Sequence, residues 1–178
     1  MKPRRIFLTG DPGSGKTNVV RKICHLLRSR GKKVGGMVSG EIREDGTRRG
    51  FMLEDIATHT FGILAHVTIH DGPRVGKYGV NLTDISRVGV TAIAGALSTA
   101  DIIIVDEIGP MELCSTPFVA AVENVLGSSK AVVGTIHKRA SHPLVRSIKA
   151  DPENEILEVT LQSRDQIPSV VDERLMAV

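Results

Sequence analysis

Gly10-Asp11-Pro12-Gly13-Ser14-Gly15-Lys16-Thr17 constrains this chain more than any other stretch. It spells G-x-x-x-x-G-K-T. Arg5-Ile6-Phe7-Leu8-Thr9, just before it, is short and mostly apolar, as a buried strand should be. After it, Val19, Val20, Ile23, Leu26 and Leu27 recur at helical spacing. Gly10, Gly13 and Gly15 let the backbone fold into a tight nest whose N–H groups converge. The following helix, predicted over 16–30, adds the positive end of its dipole, so the loop suits phosphate oxygens. This is the P-loop pattern in the strand–loop–helix context it requires.

In that pattern Lys16 supplies charge for the β- and γ-phosphates of a nucleotide, and the Thr17 hydroxyl is placed to ligate magnesium. A second constellation lies downstream. Ile102-Ile103-Ile104-Val105 is a run of β-branched residues suited to a strand buried on both faces, and it closes on Asp106-Glu107. A hydrophobic strand ending in acids fits the Walker B element. Asp106 would hold magnesium, directly or through water, and Glu107 would orient and polarise an attacking water. A base at that position suits hydrolysis. A nucleotide or nucleoside kinase would need a pocket for a second nucleotide and an arginine-rich lid. A nucleotide-dependent switch with slow hydrolysis is the other alternative, with residues 66–81 as its switch segment. A further buried strand, Ala131–Ile136, is followed by His137, Lys138 and Arg139. Ligands of open α/β sheets bind beyond the carboxyl ends of the strands. Arg139 is therefore a candidate to stabilise charge on the γ-phosphate, and His137 a candidate γ-phosphate sensor.

The remaining pattern alternates strand and helix. A second strand is expected over 33–38. Residues 39–67 then change character: two extended segments flank Glu44-Asp45-Gly46-Thr47, and Asp-Gly is a strong two-residue hairpin signal. A helix with an apolar face of period 3.6 is predicted over 83–100, capped by Thr83. Another follows Gly109-Pro110, with Thr116 as cap and Pro117 at N1. A short helix opens at Ser141-His142-Pro143, a last strand spans 155–161 and a closing helix 164–176. The expected fold is an α/β P-loop NTPase in a single domain spanning 1–178: a mainly parallel sheet sandwiched by helices, with an antiparallel β-meander inserted around residues 39–67.

Composition narrows the partners. With 178 residues and 41% hydrophobic content the chain can bury a sizeable core. A formal charge of +3 favours nucleotides without marking a nucleic-acid surface. With no Trp and one Tyr there is no stacking platform for single strands, which argues against a nucleic-acid partner. Cys24 and Cys114 are isolated, and His59, His66 and His70 fit no metal-ligand spacing. Arg74 and Lys77 read as solvated surface charges, with a reach to phosphate as the alternative. Neither a leader nor a membrane span is expected, so the reading is a soluble, monomeric, cytoplasmic protein.

GDPGSGKT at 10–17, Glu41-Ile42-Arg43 with Gly50-Phe51, Tyr78-Gly79-Val80, Asp106-Glu107-Ile108-Gly109 with Met111-Glu112-Leu113, and His142-Pro143-Leu144-Val145 occur in that order. Together they resemble the small thermostable nucleoside-triphosphatase family, whose vertebrate members are called cancer-related nucleoside-triphosphatase. The resemblance spans nearly the whole chain. It implies a P-loop domain with an added central strand and a catalytic glutamate. It also implies hydrolysis of ATP, GTP, CTP and UTP to diphosphate and phosphate, with Mg2+ and little base selectivity. Gly10, Asp11, Pro12, Gly13, Ser14, Gly15, Lys16 and Thr17, and Ile102, Ile103, Ile104, Val105, Asp106, Glu107, Ile108 and Gly109, would be the nucleotide-contacting segments. Asn18 departs from the expected pattern, standing where a second Ser or Thr would be. The low aromatic content agrees with weak base recognition.

Overall fold

The computed structural model describes residues 4–177. Among these, nine strands form one sheet: β1 (Arg5–Thr9), β2 (Val34–Glu44), β3 (Thr47–Asp55), β4 (Thr60–His66), β5 (Arg74–Val75), β6 (Tyr78–Val80), β7 (Ile102–Ile108), β8 (Ala131–Ile136) and β9 (Asn154–Glu158). The spatial order is β5-β6-β4-β3-β2-β7-β8-β1-β9. From β2 to β9 all neighbours are parallel, and from β2 outward through β3, β4, β6 and β5 all are antiparallel. β8 lies between β1 and β7, so a strand separates the P-loop strand from the one ending in acids.

Alternation along the central strands divides the core between the two faces of the sheet. Ile6 and Leu8 of β1, with Ile102 and Ile104 of β7, pack beneath α1 (Lys16–Ser29) and α6 (Ile167–Met176). Phe7, Ile103 and Val105 face the other way. They meet α3 (Thr91–Thr99), α4 (Thr116–Leu126) and α5 (Pro143–Ala150). Gly35 and Gly36 permit close packing where any side chain would collide. A Cβ on Gly35 would lie 3.0 Å from the Ala96 methyl, and one on Gly36, whose φ is 111°, would strike the Ile104 carbonyl oxygen. No helix among the described residues is long and apolar enough to cross a membrane.

The meander is present, but its first strand is not separate from the second strand of the main sheet. β2 runs unbroken from Val34 to Glu44, pairing with β7 at its start and with β3 from Met37 onward. The second strand is expected to end at Val38, yet Gly40 has only the Met52 side chain nearby and the strand passes through. The hairpin turn falls at Asp45-Gly46, where φ is 48° and 75°, as an Asp-Gly turn of type I′ requires. The polar segment 66–81 holds β5 and β6, which cap that edge of the sheet. Helix 83–100 starts earlier, as α2 (Leu82–Asp84), capped by the Asn81 side chain accepting from the Asp84 N–H rather than by Thr83. It passes through a π-helical segment, Ile85–Val90, before α3. Ser115, not Thr116, caps α4 by accepting from the Phe118 N–H. Both corrections have one physical cause: the residue just outside the first turn has the extended or bridging backbone that a cap needs. The last strand stops at Glu158, and the closing helix begins at Ile167.

Candidate active site at the carboxyl edge of the parallel strands

β1 delivers the chain to the P-loop at the carboxyl edge of the sheet. Gly15 is the N-cap of α1, with φ 96°, a left-handed conformation natural to glycine. It offers no side-chain cap, and no acidic residue lies in the first turn. The first N–H groups of α1 are thus left for an external anion, with the helix dipole behind them. Asp11, Pro12 and Gly13 are exposed, and Ser14, Gly15, Lys16 and Thr17 are half-buried. Lys16 folds back over the loop, its Nζ donating to the Gly10 carbonyl at 3.1 Å. Lys138 ties the loop to the neighbouring strand, bridging Asp11 at 3.3 Å and Glu158 at 2.8 Å.

β7 brings its acids to the same edge. Its pairing with β8 is irregular between Val105 and Ile108, so Asp106 and Glu107 leave the ladder there. Asp106 is fully buried. Its Oδ1 accepts a 2.6 Å hydrogen bond from the Thr135 hydroxyl, also fully buried, and its Oδ2 has no partner. Burial pushes its pKa up, against the Thr135 and Thr17 hydroxyls, the Ser39 amide and the Lys16 charge. Glu107 is half-buried with Oε1 unpartnered. Burial raises its pKa, Lys16 lowers it, and the neighbouring Asp106 raises it again. Lys16 acts on both carboxyls, so the P-loop and the strand end share one electrostatic site.

Thr17 and Asp106 offer hard oxygen donors, a hydroxyl and a carboxylate with an unused buried oxygen. That set fits magnesium, which is commonly held by one or two carboxylates together with substrate phosphates. No group of three or more His, Cys, Asp or Glu among the described residues could hold a metal ion by protein ligands alone.

The other predicted site residues fall into two groups. Ile102, Ile103, Ile104, Val105 and Ile108 are core side chains that anchor β7. Gly109 stands beside the acids, 3.5 Å from Glu107 Cδ measured from where its own Cβ would be. His137 is half-buried and accepts the Arg139 N–H at Nδ1. Burial lowers its pKa first, and Lys16, Lys149 and Arg139 add to the shift. Arg139 itself is exposed, and its charge adds to the lowering of the His137 pKa.

In the sequence Glu112 stands only as part of the Met111-Glu112-Leu113 motif, with no role of its own. It is 4% exposed, in a 3₁₀ turn (Glu112–Cys114) after β7. Its Oε2 is 3.2 Å from the position a Gly109 Cβ would take, on which Glu107 also closes. Burial, then the Glu107 charge, hold its pKa well above the ordinary range. The available signal was an acid enclosed by Met111 and Leu113 directly after a Gly-Pro turn.

Comparison with known proteins agrees with this geometry. The model of the family described as NTPase matches residues 5–171. A nucleoside-triphosphatase THEP1 from Methanosarcina acetivorans is 44% identical over 173 residues, covering 97% of both chains. One from Thermofilum pendens is 48% identical over 169 residues, covering 94% of this chain and 93% of its own. Among solved structures, THEP1 from Aquifex aeolicus superposes with a TM-score of 0.85 at 30% identity, covering 97% of this chain and 99% of its own. A human cancer-related nucleoside triphosphatase gives 0.83 at 31%, covering 98% of each. With a P-loop, a buried acid pair and relatives matched along nearly their whole length, the chain belongs to the NTPase family.

Proposed function

We propose that this chain is a magnesium-dependent nucleoside-triphosphatase that hydrolyses ATP, GTP, CTP and UTP to diphosphate and phosphate. The observation that carries the reading is the meeting of Lys16, Asp106 and Glu107 at one edge, with an unpartnered buried oxygen on each acid. The N–H groups of Gly13 to Lys16 receive the β-phosphate, and Lys16 exchanges its carbonyl partners for β- and γ-oxygens. Thr17 and Asp106 would hold magnesium, which would neutralise charge on the phosphates. Thr135 fixes the rotamer of Asp106. Glu107 accepts a proton from the attacking water, a role suited to a carboxylate whose pKa burial has raised. Arg139 supplies positive charge from the open side of the site. The family membership and the names of the relatives support hydrolysis over transfer to a second nucleotide.

The protein is read as a single, monomeric, cytoplasmic domain. Its cysteines fit that setting: both are free, and burial pushes the Cys24 thiol up to about 11, which keeps it inert.

The test is phosphate release from the four nucleotides with magnesium, for wild type, Glu107→Gln and Lys16→Ala. Turnover of all four, lost in both variants, with nucleotide binding retained only by Glu107→Gln, is the expected result. Tight binding without release by the wild type would overturn the hydrolase reading.

A further inference from the structure

The triphosphate site has a direction. Its carboxylates stand at the end of β7, on one flank of the P-loop, and β9 lies on the opposite flank, next to β1. A nucleotide whose γ-phosphate faces Glu107 therefore runs its nucleoside toward the segment after β9. That segment is locked against the P-loop. The Val159 N–H donates to the Thr9 carbonyl at 2.7 Å, and a Cβ on Gly10 would lie 2.5 Å from the Val159 carbonyl oxygen. Ser163 donates its hydroxyl to the Glu158 carbonyl at 2.9 Å, and Asp165 pairs with Lys22 of α1 at 3.1 Å.

Two side chains on this pinned turn lack a structural use. Arg164 is exposed and lies over the P-loop, its Cδ 3.8 Å and its Nη1 4.0 Å from where a Gly15 Cβ would be. Its guanidinium makes no ion pair or hydrogen bond among the described residues, and its only hydrogen bond there is the backbone N–H to the Thr160 carbonyl. Leu161, in the same turn, is 66% exposed, the most exposed large apolar side chain among the described residues. No aromatic ring is available for stacking there. Phe7 and Phe118 are sealed in the core, Phe51 pairs with Tyr78, and Phe61 lies on β4 in the antiparallel half.

We infer that the turn after β9 is the nucleoside subsite, with the guanidinium plane of Arg164 and the side chain of Leu161 covering the face of the base. This rests on the triphosphate reading above and names the part of the substrate that reading leaves unassigned. A guanidinium stacks on any planar π-system, and an aliphatic side chain packs on any ring. Neither reads the hydrogen-bonding edge. The subsite therefore binds purines and pyrimidines alike, which is a physical origin for low base selectivity. Arg164 stands apart from the acids: Lys16, not Arg164, is the cation that shifts Asp106 and Glu107.

The test compares binding of the β,γ-imido analogues of ATP, GTP, CTP and UTP with binding of inorganic tripolyphosphate, all with magnesium. Arg164→Ala and Leu161→Ser should each weaken all four nucleotides by about five- to ten-fold, as loss of a stacking partner does, and leave tripolyphosphate within about two-fold. A parallel loss of tripolyphosphate would make Arg164 a phosphate ligand and overturn the assignment. So would unchanged nucleotide binding, or a loss confined to one base. Lys16→Ala separates the two readings: it abolishes binding of nucleotides and tripolyphosphate if the P-loop holds the triphosphate. Retention of both would sink that reading, whatever the turn variants do.

Discussion

Glu112 should make the stability of this protein fall with rising pH, and Glu112→Gln should remove that dependence. The side chain is 4% exposed, and the first cause of its raised pKa is burial, followed by the Glu107 charge. A carboxyl whose folded pKa exceeds its unfolded value, near 4.5 here, takes up a proton on folding. Its contribution to stability is complete below the unfolded value and is lost as pH rises through the folded one. Within that window one proton changes the unfolding free energy by about 1.4 kcal/mol per pH unit. Glutamine keeps the shape and cannot ionise. In urea titrations of the nucleotide-free protein from about pH 5 upward, the variant should gain on the wild type by about 1.4 kcal/mol per pH unit, up to the folded pKa. Asp106 and Glu107 are raised too, so both proteins keep a residual slope and the difference between them isolates Glu112. A difference that stays flat across the series would refute the claim that Glu112 is buried as an acid.

Thr135→Val removes the 2.6 Å hydrogen bond to Asp106 inside the sheet and should cost about 2 kcal/mol in urea denaturation. The same variant should need more magnesium for half-maximal nucleotide binding, since Asp106 loses its orientation. Gly36→Ala places a methyl against the Ile104 carbonyl at a φ of 111° and should lower stability by at least about 2 kcal/mol, read as a lower denaturation midpoint. Magnesium with a non-hydrolysable nucleotide at about 100 times its dissociation constant should stabilise the wild type by about 2.7 kcal/mol in a thermal melt, and Lys16→Ala should lose that gain.

The parts of the fold that could be read in advance are those where local chemistry leaves one option. The P-loop needs its glycines, Ile102 to Val105 needs two apolar faces, and Asp45-Gly46 needs a type I′ turn. Each holds in the structure. The boundaries that moved depend on what lies across the sheet. β2 continues past Ser39-Gly40 because β3 pairs with it, and the π-helical segment before α3 interrupts a pattern of uniform period. No window of local sequence contains either fact.

The site divides along the same line. Lys16, Asp106 and Glu107 converge where their motifs place them, because each motif sits at the carboxyl end of a parallel strand. The strand order that sets β9 against β1 appears in no motif, and neither does the position of Arg164 over Gly15. Glu112 shows why. On the sequence Glu112 stands only within the Met111-Glu112-Leu113 motif, and nothing local marks it as buried. Its significance comes from Gly109, which lacks the side chain that would hold Glu107 and Glu112 apart. A Cβ there would lie 3.2 Å from one carboxylate and 3.5 Å from the carboxyl carbon of the other, so the same small residue that lets the chain turn after β7 also lets two acids share one buried space. That coupling places a buried acid beside the proposed general base, and the charge on Glu107 adds to burial in holding the Glu112 proton in place.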